Sequence, residues 1–491
     1  MTPSNTENTA AGSSHQLHKE LGLRDLVPMQ ILLVVGVTWS GLAARQGTTH
    51  VAFWLLGIVT LFLPVAGVVH YCAKIWPLEG GVYQWTRSAI GPFAGFLSAW
   101  NFGIWALMAV SSLGIQTAAS LSYALGPQAA WMVENGVLIT ALNVGLFGFI
   151  LLVNIPGLGI GRWVAHFGTA VTLLVTVLLI LLLFIHPHAS AAHPHVSPQR
   201  PFSLALPVVT LMSLNLFSKL TFNALTGLEQ VAVFAGETRH AGRSILRSAW
   251  IAAPVIALIY ICMAGAMLTY TSADNIDLTA PIPQVLAAAF GSGASADGGL
   301  DAGLILGRAA ILVLAIATVA QYAVIVAEIS RLPMVAAWDH LLPAWFTRLH
   351  PRYRTPTRSL AVIVALAVLL SLLASANTGS QEAFQLLVTS GNVCYGINYL
   401  LMFAVPLMPA RRLKHRPGLL LRVGCVSGIA VTMLQIIFGL VPVVDVTNSW
   451  AFGLKIGLTA LAANLLAAAL YWRGIRQSRS AIKDVAKSPP V

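Results

Sequence analysis

Between Leu206 and Phe234 an apolar run long enough to cross a bilayer carries Asn223, Thr226, Gly227 and Glu229, with Lys219 one turn earlier. Polar and ionisable residues at membrane depth are costly, and by default they mark function. Backbone that leaves the helix there survives only where it is buried in protein or lines a cavity. A break between Asn223 and Gly227 would turn the freed N–H and C=O groups into ligands for something small and polar, with Phe222 at its edge. Glu229 and Lys219 are read as the only ionisable residues well inside a span, so each is a candidate proton carrier. Ten residues separate them by about 15 Å along an unbroken helix, too far for a direct ion pair. The competing readings are that Lys219 snorkels to an interface and that Glu229 locks the break by a structural hydrogen bond.

The first apolar run has a similar weakness. It reads Val35, Gly36, Val37, Thr38, Trp39, Ser40, Gly41, Leu42, and two glycines with Thr and Ser between them weaken a helix at its middle. Small residues also let helices approach closely in lipid. Recurrence decides between the two, because interrupted spans at corresponding places in two five-span halves mark an inverted-repeat transporter.

The elements that must position these residues follow from composition. Of 491 residues, 57% are hydrophobic and 9% charged, against about 25% charged in soluble domains. Mean hydropathy is +0.79, which excludes a soluble globular chain. At about 20 apolar residues per crossing, twelve runs qualify: 26–46, 50–74, 92–122, 133–155, 160–186, 206–234, 247–271, 303–330, 358–376, 382–408, 418–441 and 450–472. The first 24 residues are polar and lack the charged-then-apolar order of a cleaved signal peptide, so the N-terminus is expected in the cytosol. Twelve spans then place both tails and the even-numbered connections there. Of the 28 Lys and Arg residues, five (Arg45, Arg200, Lys219, Arg308 and Lys455) fall elsewhere; the other 23 obey the positive-inside rule. The net charge of +12 is thereby assigned to anionic inner-leaflet lipid, and no nucleic-acid partner is required. Asp274, Asp277, Asp297 and Asp301 fall in an outer loop, and the four cysteines read as core residues without a disulfide framework.

The second connection contains Pro77, Gly80, Gly81, Tyr83 and Trp85, then Gly91, Pro92, Gly95 and Phe96, followed by Ala99, Trp100 and Asn101. This pattern resembles the signature of the amino acid–polyamine–organocation permeases. Further agreement comes from Gly227, Leu228 and Glu229 with Gly236 and Glu237, from Ser330 and Arg331, and from Asp339 to Pro343 with Thr355 and Pro356. The resemblance covers roughly residues 20 to 475 and implies an all-α membrane protein of the LeuT-type fold. That fold has about twelve transmembrane helices in a five-plus-five inverted repeat with discontinuous first and sixth helices. Its parts would be a cytosolic tail (1–25), two repeats (26–186 and 206–408), two trailing helices (418–472) and a basic cytosolic tail (473–491).

The family's substrate groups, carried over by motif, fall on Val37, Thr38, Ser40 and Gly41 in the first span and on Phe222, Asn223, Thr226 and Gly227 in the sixth. Trp39 stands where many relatives have Gly, and Asn223 where many have an aromatic gate. The implied function is secondary transport of an amino acid or related amine by alternating access in the inner (plasma) membrane, as proton symport or exchange, in a monomer or homodimer. A non-transporting amino acid sensor on the same fold is the alternative. An enzyme would need a convergent catalytic set, and none is found. Sodium coupling is disfavoured because the eighth span offers only Thr318; no cofactor or metal is expected. The histidines between His186 and His195 are interrupted by prolines and lack carboxylate or Cys neighbours, which argues against a dedicated metal site. His166 is assigned a structural place. Asn392, Tyr395 and Asn398 form a polar stripe expected to face the interior, and the last two spans read as scaffold.

Overall fold

The computed structural model describes residues 19–36, 39–185, 202–203, 205, 208–290, 302–338, 341–375, 380–409, 413, 415–443 and 448–487. Among them every regular element is helical: α1 (Leu23–Val34), α2 (Trp39–Ala44), α3 (Gly47–Ile75), α4 (Val82–Ala89), α5 (Pro92–Leu125), α6 (Gly136–Asn154), α7 (Leu158–Ile185) and α8 (Leu211–Leu225) come first. They are followed by the 3₁₀ segment Gln230–Glu237, α9 (Ala241–Tyr270), α10 (Pro281–Phe290), α11 (Ala302–Ile329), α12 (Arg331–Trp338), α13 (Thr357–Ser375), α14 (Ser380–Ala404), α15 (Leu419–Gly439) and α16 (Ser449–Lys487). Nine of the described helical stretches are long and apolar enough to cross a membrane. With the shorter apolar helix Thr357–Leu373 and the two broken pairs, α1 with α2 and α8 with the 3₁₀ segment, the expected twelve crossings are present.

Local chemistry sets the ends of the broken helices. At the start of α8, Thr210 Oγ1 accepts from the Ser213 N–H (3.0 Å) and Ser213 Oγ from the Thr210 N–H (2.8 Å), a reciprocal cap. The helix stops at Leu225 because Gly227 turns into the left-handed region at φ +107°, a conformation glycine adopts without a Cβ clash. In the first span the helix ends at Val34 and restarts at Trp39, across Val35 and Gly36. The Trp39 indole folds back on Gly36, so that a Cβ there would lie 2.4 Å from the indole nitrogen.

Two differences from the sequence reading stand out. Residues 281–290 of the outer loop form α10, which begins on Pro281, a residue whose fixed φ suits a first helical turn; it packs against α11 and α5. The last helix runs on to Lys487, through the stretch read as a basic tail. Its basic and polar residues after Gly474 are ordinary helix formers with no proline before Pro489, so nothing there stops the helix.

A buried ionic cluster ties four segments on the face bearing the basic loops. The Arg331 guanidinium donates to both carboxylate oxygens of Glu237 (2.7 and 3.0 Å), lies 4.0 Å from Glu79 Oε1, and sits 4.7 Å from the centroid of the Phe234 ring. Glu79 Oε2 accepts from the Gly236 N–H. The incoming chain joins through Glu20 N–H and Leu21 N–H to the Glu237 carbonyl (3.0 and 3.1 Å) and Arg239 N–H to the Leu21 carbonyl (2.8 Å). Burial, and then the neighbouring Glu237, push the Glu79 carboxyl well above the ordinary glutamate range, while Arg331 and the Gly236 N–H pull less strongly the other way. A carboxyl whose folded value is raised adds stability that is complete below its unfolded value of about 4.3 and is lost as pH rises through the folded value. The melting temperature of the wild type relative to Glu79→Gln should therefore fall as pH is raised, as read by thermal unfolding in detergent across a pH series.

Candidate functional site

The two breaks face each other, and side chains from neighbouring helices close the hydrogen bonds that each leaves open. A tyrosine hydroxyl can donate once and still accept, and three tyrosines use both capacities here. Tyr260 on α9 donates to the Val34 carbonyl (2.7 Å) and accepts from the Gly36 N–H (2.9 Å). Tyr399 on α14 accepts from the Gly227 N–H (2.8 Å) and donates to Glu229 Oε2 (2.5 Å). Tyr395 donates to Glu229 Oε1 and accepts from Gln230 Nε2 (3.3 Å). Two amides complete the set: Gln321 Nε2 donates to the Leu32 carbonyl (2.6 Å), and Gln30 Nε2 crosses from the first broken helix to the Leu228 carbonyl of the second (2.7 Å).

Of the residues picked out from sequence, Asn223 and Lys219 line one void together with Trp39, Gln385, Thr389, Asn392 and Gln435. The void measures about 10 Å³, room for about one water, so the site is closed down around its polar groups. Lys219 is buried and donates to the Val441 carbonyl, just beyond the C-terminal end of α15, where a cation also meets the negative end of the helix dipole. Snorkelling is thereby replaced by an internal bond.

The remaining predicted residues spread around this point. Glu229, Gly227 and Thr226 lie in the break itself, where Thr226 Oγ1 donates to the Phe222 carbonyl at 2.5 Å. Phe222 is buried with its ring edge-on to Tyr395 and Tyr399, at centroid distances of 5.8 and 5.3 Å. Ser40 is buried in α2. At Gly41 a Cβ would come within 2.9 Å of the Pro281 side chain, so this glycine lets α2 approach α10. Val37 and Thr38 lie outside the described residues, as does the histidine-rich stretch His186–His195.

The polar stripe of the tenth span does face inward: Trp105 Nε1 donates to Asn392 Oδ1 (3.1 Å), and Ser98 Oγ to Asn398 Oδ1 (2.5 Å). Two residues escaped the sequence reading. Glu328 lies inside the eighth span, fully buried, with neither carboxylate oxygen hydrogen-bonded among the described residues; Glu229 and Arg331 are its charged neighbours. It stands three residues before the charged Arg331 at the end of its span, and it is as fully buried as Glu229. Gln435, on the eleventh span, is fully buried at the void, and neither of its amide atoms has a hydrogen-bond partner among the described residues. That span had been read as scaffold, and a single amide in an apolar helix gives no periodic signal of what it faces.

Twelve helical crossings, two of them broken opposite each other around a small polar void, define a membrane transporter rather than an enzyme. The chain belongs to a known family of this kind: the family described as Amino acid permease matches residues 21–462. Similar proteins include an uncharacterized transporter of Legionella pneumophila, 26% identical over 48% of this chain and 50% of that protein, so the match spans half of the relative's length. The low-affinity putrescine importer PlaP of Escherichia coli is 25% identical over 71% of this chain and 72% of its own. The branched-chain amino acid permease BcaP of Bacillus subtilis is 22% identical over 71% and 73%.

Removing the Tyr399 hydroxyl leaves the Gly227 N–H without its bond and Glu229 with one donor fewer. A buried group stripped of its partner costs about 1–3 kcal/mol. Tyr399→Phe and Tyr395→Phe should each lower thermal stability on that scale, and the double variant should lose less than the sum because both hydroxyls serve one carboxylate. Thermal unfolding of the purified variants in detergent measures both effects.

Proposed function

We propose that this protein is a secondary active transporter of amino acids in the bacterial inner membrane, with both termini cytosolic, working by alternating access around the void between α2, α8 and α14. The observation that carries the reading is the pair of opposed breaks, because they supply what a zwitterion needs without a fixed pair of charged side chains. A half-helix N-terminus offers N–H groups and positive dipole to a carboxylate, and a half-helix C-terminus offers carbonyls to an ammonium. In the closed arrangement Tyr260 and Tyr399 hold the Gly36 and Gly227 N–H groups, and in this reading the substrate takes their place as the bundle opens.

For energy coupling we favour a proton over sodium. Thr318, the hydroxyl available on the eighth span, is turned to its own helix and donates to the Leu314 carbonyl (3.1 Å). Glu229 is held by two tyrosines, which supports its part as the latch of the break. Glu328 sits within electrostatic reach of it and has no hydrogen-bond partner among the described residues. An isolated buried carboxylate is expensive, so the arrival of a proton there changes the local energy most. Glu328 is our choice for the coupling carboxyl, with Glu229 as the group its charge acts on.

The test is uptake into proteoliposomes of labelled amino acids, with empty or substrate-loaded vesicles and with or without an inward proton gradient. Gradient-driven uptake into empty vesicles is expected for the wild type. Glu328→Gln should abolish the response to the gradient while preserving exchange, and Glu229→Gln should reduce both by about tenfold or more, the effect of about 1.4 kcal/mol. Uptake that strictly needs internal substrate, in wild type and Glu328→Gln alike, would establish an exchanger and remove the proton role.

A further inference from the structure

We propose that the void bounded by Lys219, Asn223 and Gln435 is the side-chain subsite of the substrate, and that it takes an amino acid whose side chain ends in a carboxylate or carboxamide. The inference rests on the transport reading for the use of the site and on the lining of the void for its chemistry. The polar lining comes from four spans, with Trp39 from the first, Lys219 and Asn223 from the sixth, Gln385, Thr389 and Asn392 from the tenth, and Gln435 from the eleventh, while Leu42, Leu278, Val388 and Val443 supply the apolar wall.

The polar groups are not spent on one another. Among the described residues Lys219 has one acceptor, the Val441 carbonyl, and an ammonium carries three N–H donors. Among the same residues Gln435 is fully buried with Nε2 and Oε1 both unpartnered, and Asn223 Oδ1 is a buried acceptor in the same condition. Buried amides are almost always bonded, so three such atoms at one void mark a place built for a polar guest. Asn392 is already engaged, its Oδ1 accepting from Trp105, and serves as a fixed wall.

The sign and kind of these groups select among amino acids and amines. Among the described residues no carboxylate lines the void, so there a diamine would bring its second ammonium toward Lys219 with nothing to neutralise it. A branched aliphatic side chain would leave the Gln435 amide without a partner and Lys219 with the Val441 carbonyl alone. A terminal carboxylate or carboxamide gives the Lys219 and Gln435 donors an oxygen to bind, and a carboxamide also gives Asn223 Oδ1 a donor. Sites that hydrogen-bond a substrate group discriminate strongly against analogues that lack it. The present volume admits about one water, so the guest enters as the helices part, with Trp39, stacked back on Gly36, as the bulky side chain in its way.

The experiment is calorimetric titration of the full-length protein in detergent with L-glutamate, L-glutamine, L-leucine and putrescine, with uptake of each by proteoliposomes in parallel. The wild type should bind glutamate or glutamine at least about tenfold tighter than leucine or putrescine. Gln435→Met should erase at least about tenfold of that preference, and Lys219→Met should weaken glutamate more than glutamine if the carboxylate is the true guest and both equally if the carboxamide is. Gln435→Glu, which keeps size and polarity, covers the case in which Gln435→Met fails to fold; it should weaken glutamate and admit putrescine. Leucine or putrescine binding as tightly as both polar amino acids, or an unchanged ranking in folded Gln435 and Lys219 variants, would overturn the proposal. Ranked binding without uptake would leave the subsite standing and remove transport; uptake without the ranking would do the reverse.

Discussion

Every backbone N–H and C=O held at membrane depth must have a partner, and the rest of this structure is arranged around that demand. Two helices are interrupted, and each interruption frees groups that lipid cannot satisfy. Tyr260, Tyr399 and Gln321 meet the demand from helices outside the broken pair, and Gln30 meets it from one broken helix to the other. The breaks are therefore properties of the assembled bundle. An isolated first or sixth span would have no reason to stay open, and propensity alone would leave it a weakened helix.

This dependence couples the site to distant helices. Tyr399 touches both the turn at Gly227 and the Glu229 carboxylate, so any motion of α14 against the sixth span disturbs backbone geometry and charge together. On the other side of the void, Lys219 is fastened to the end of the eleventh span. On the face of the basic loops, Arg331, Glu237 and Glu79 gather the eighth span, the end of the sixth and the connection after α3. A bundle that rocks around the void must exchange these bonds as units, which favours two discrete arrangements over a continuum.

Much of this was legible in the sequence, and the reasons for the gaps are physical. Apolar length and the placement of Lys and Arg located the twelve crossings, because both are signals that a single helix carries by itself. Gly36 and Gly227 located the breaks for the same reason. The groups that close the breaks were invisible: Tyr260 and Gln321 are single polar residues in apolar helices, and only the fold says which carbonyl each meets. Gln435 and Glu328 were missed on the same ground. Helix α10 was read as loop because ten residues bounded by polar segments are too short to announce themselves by periodicity, and α16 overran its span because hydropathy ends where helical propensity does not. The untested residues Val37 and Thr38 fall in the gap between α1 and α2.

The contact between Gly36 and the Trp39 indole has an evolutionary consequence. With an added methyl group only 2.4 Å from the ring nitrogen, no side chain can appear at position 36 while Trp39 keeps this rotamer. The two positions form a single heritable unit: a lineage that trims Trp39 gains freedom at position 36, and one that keeps the indole must keep the glycine.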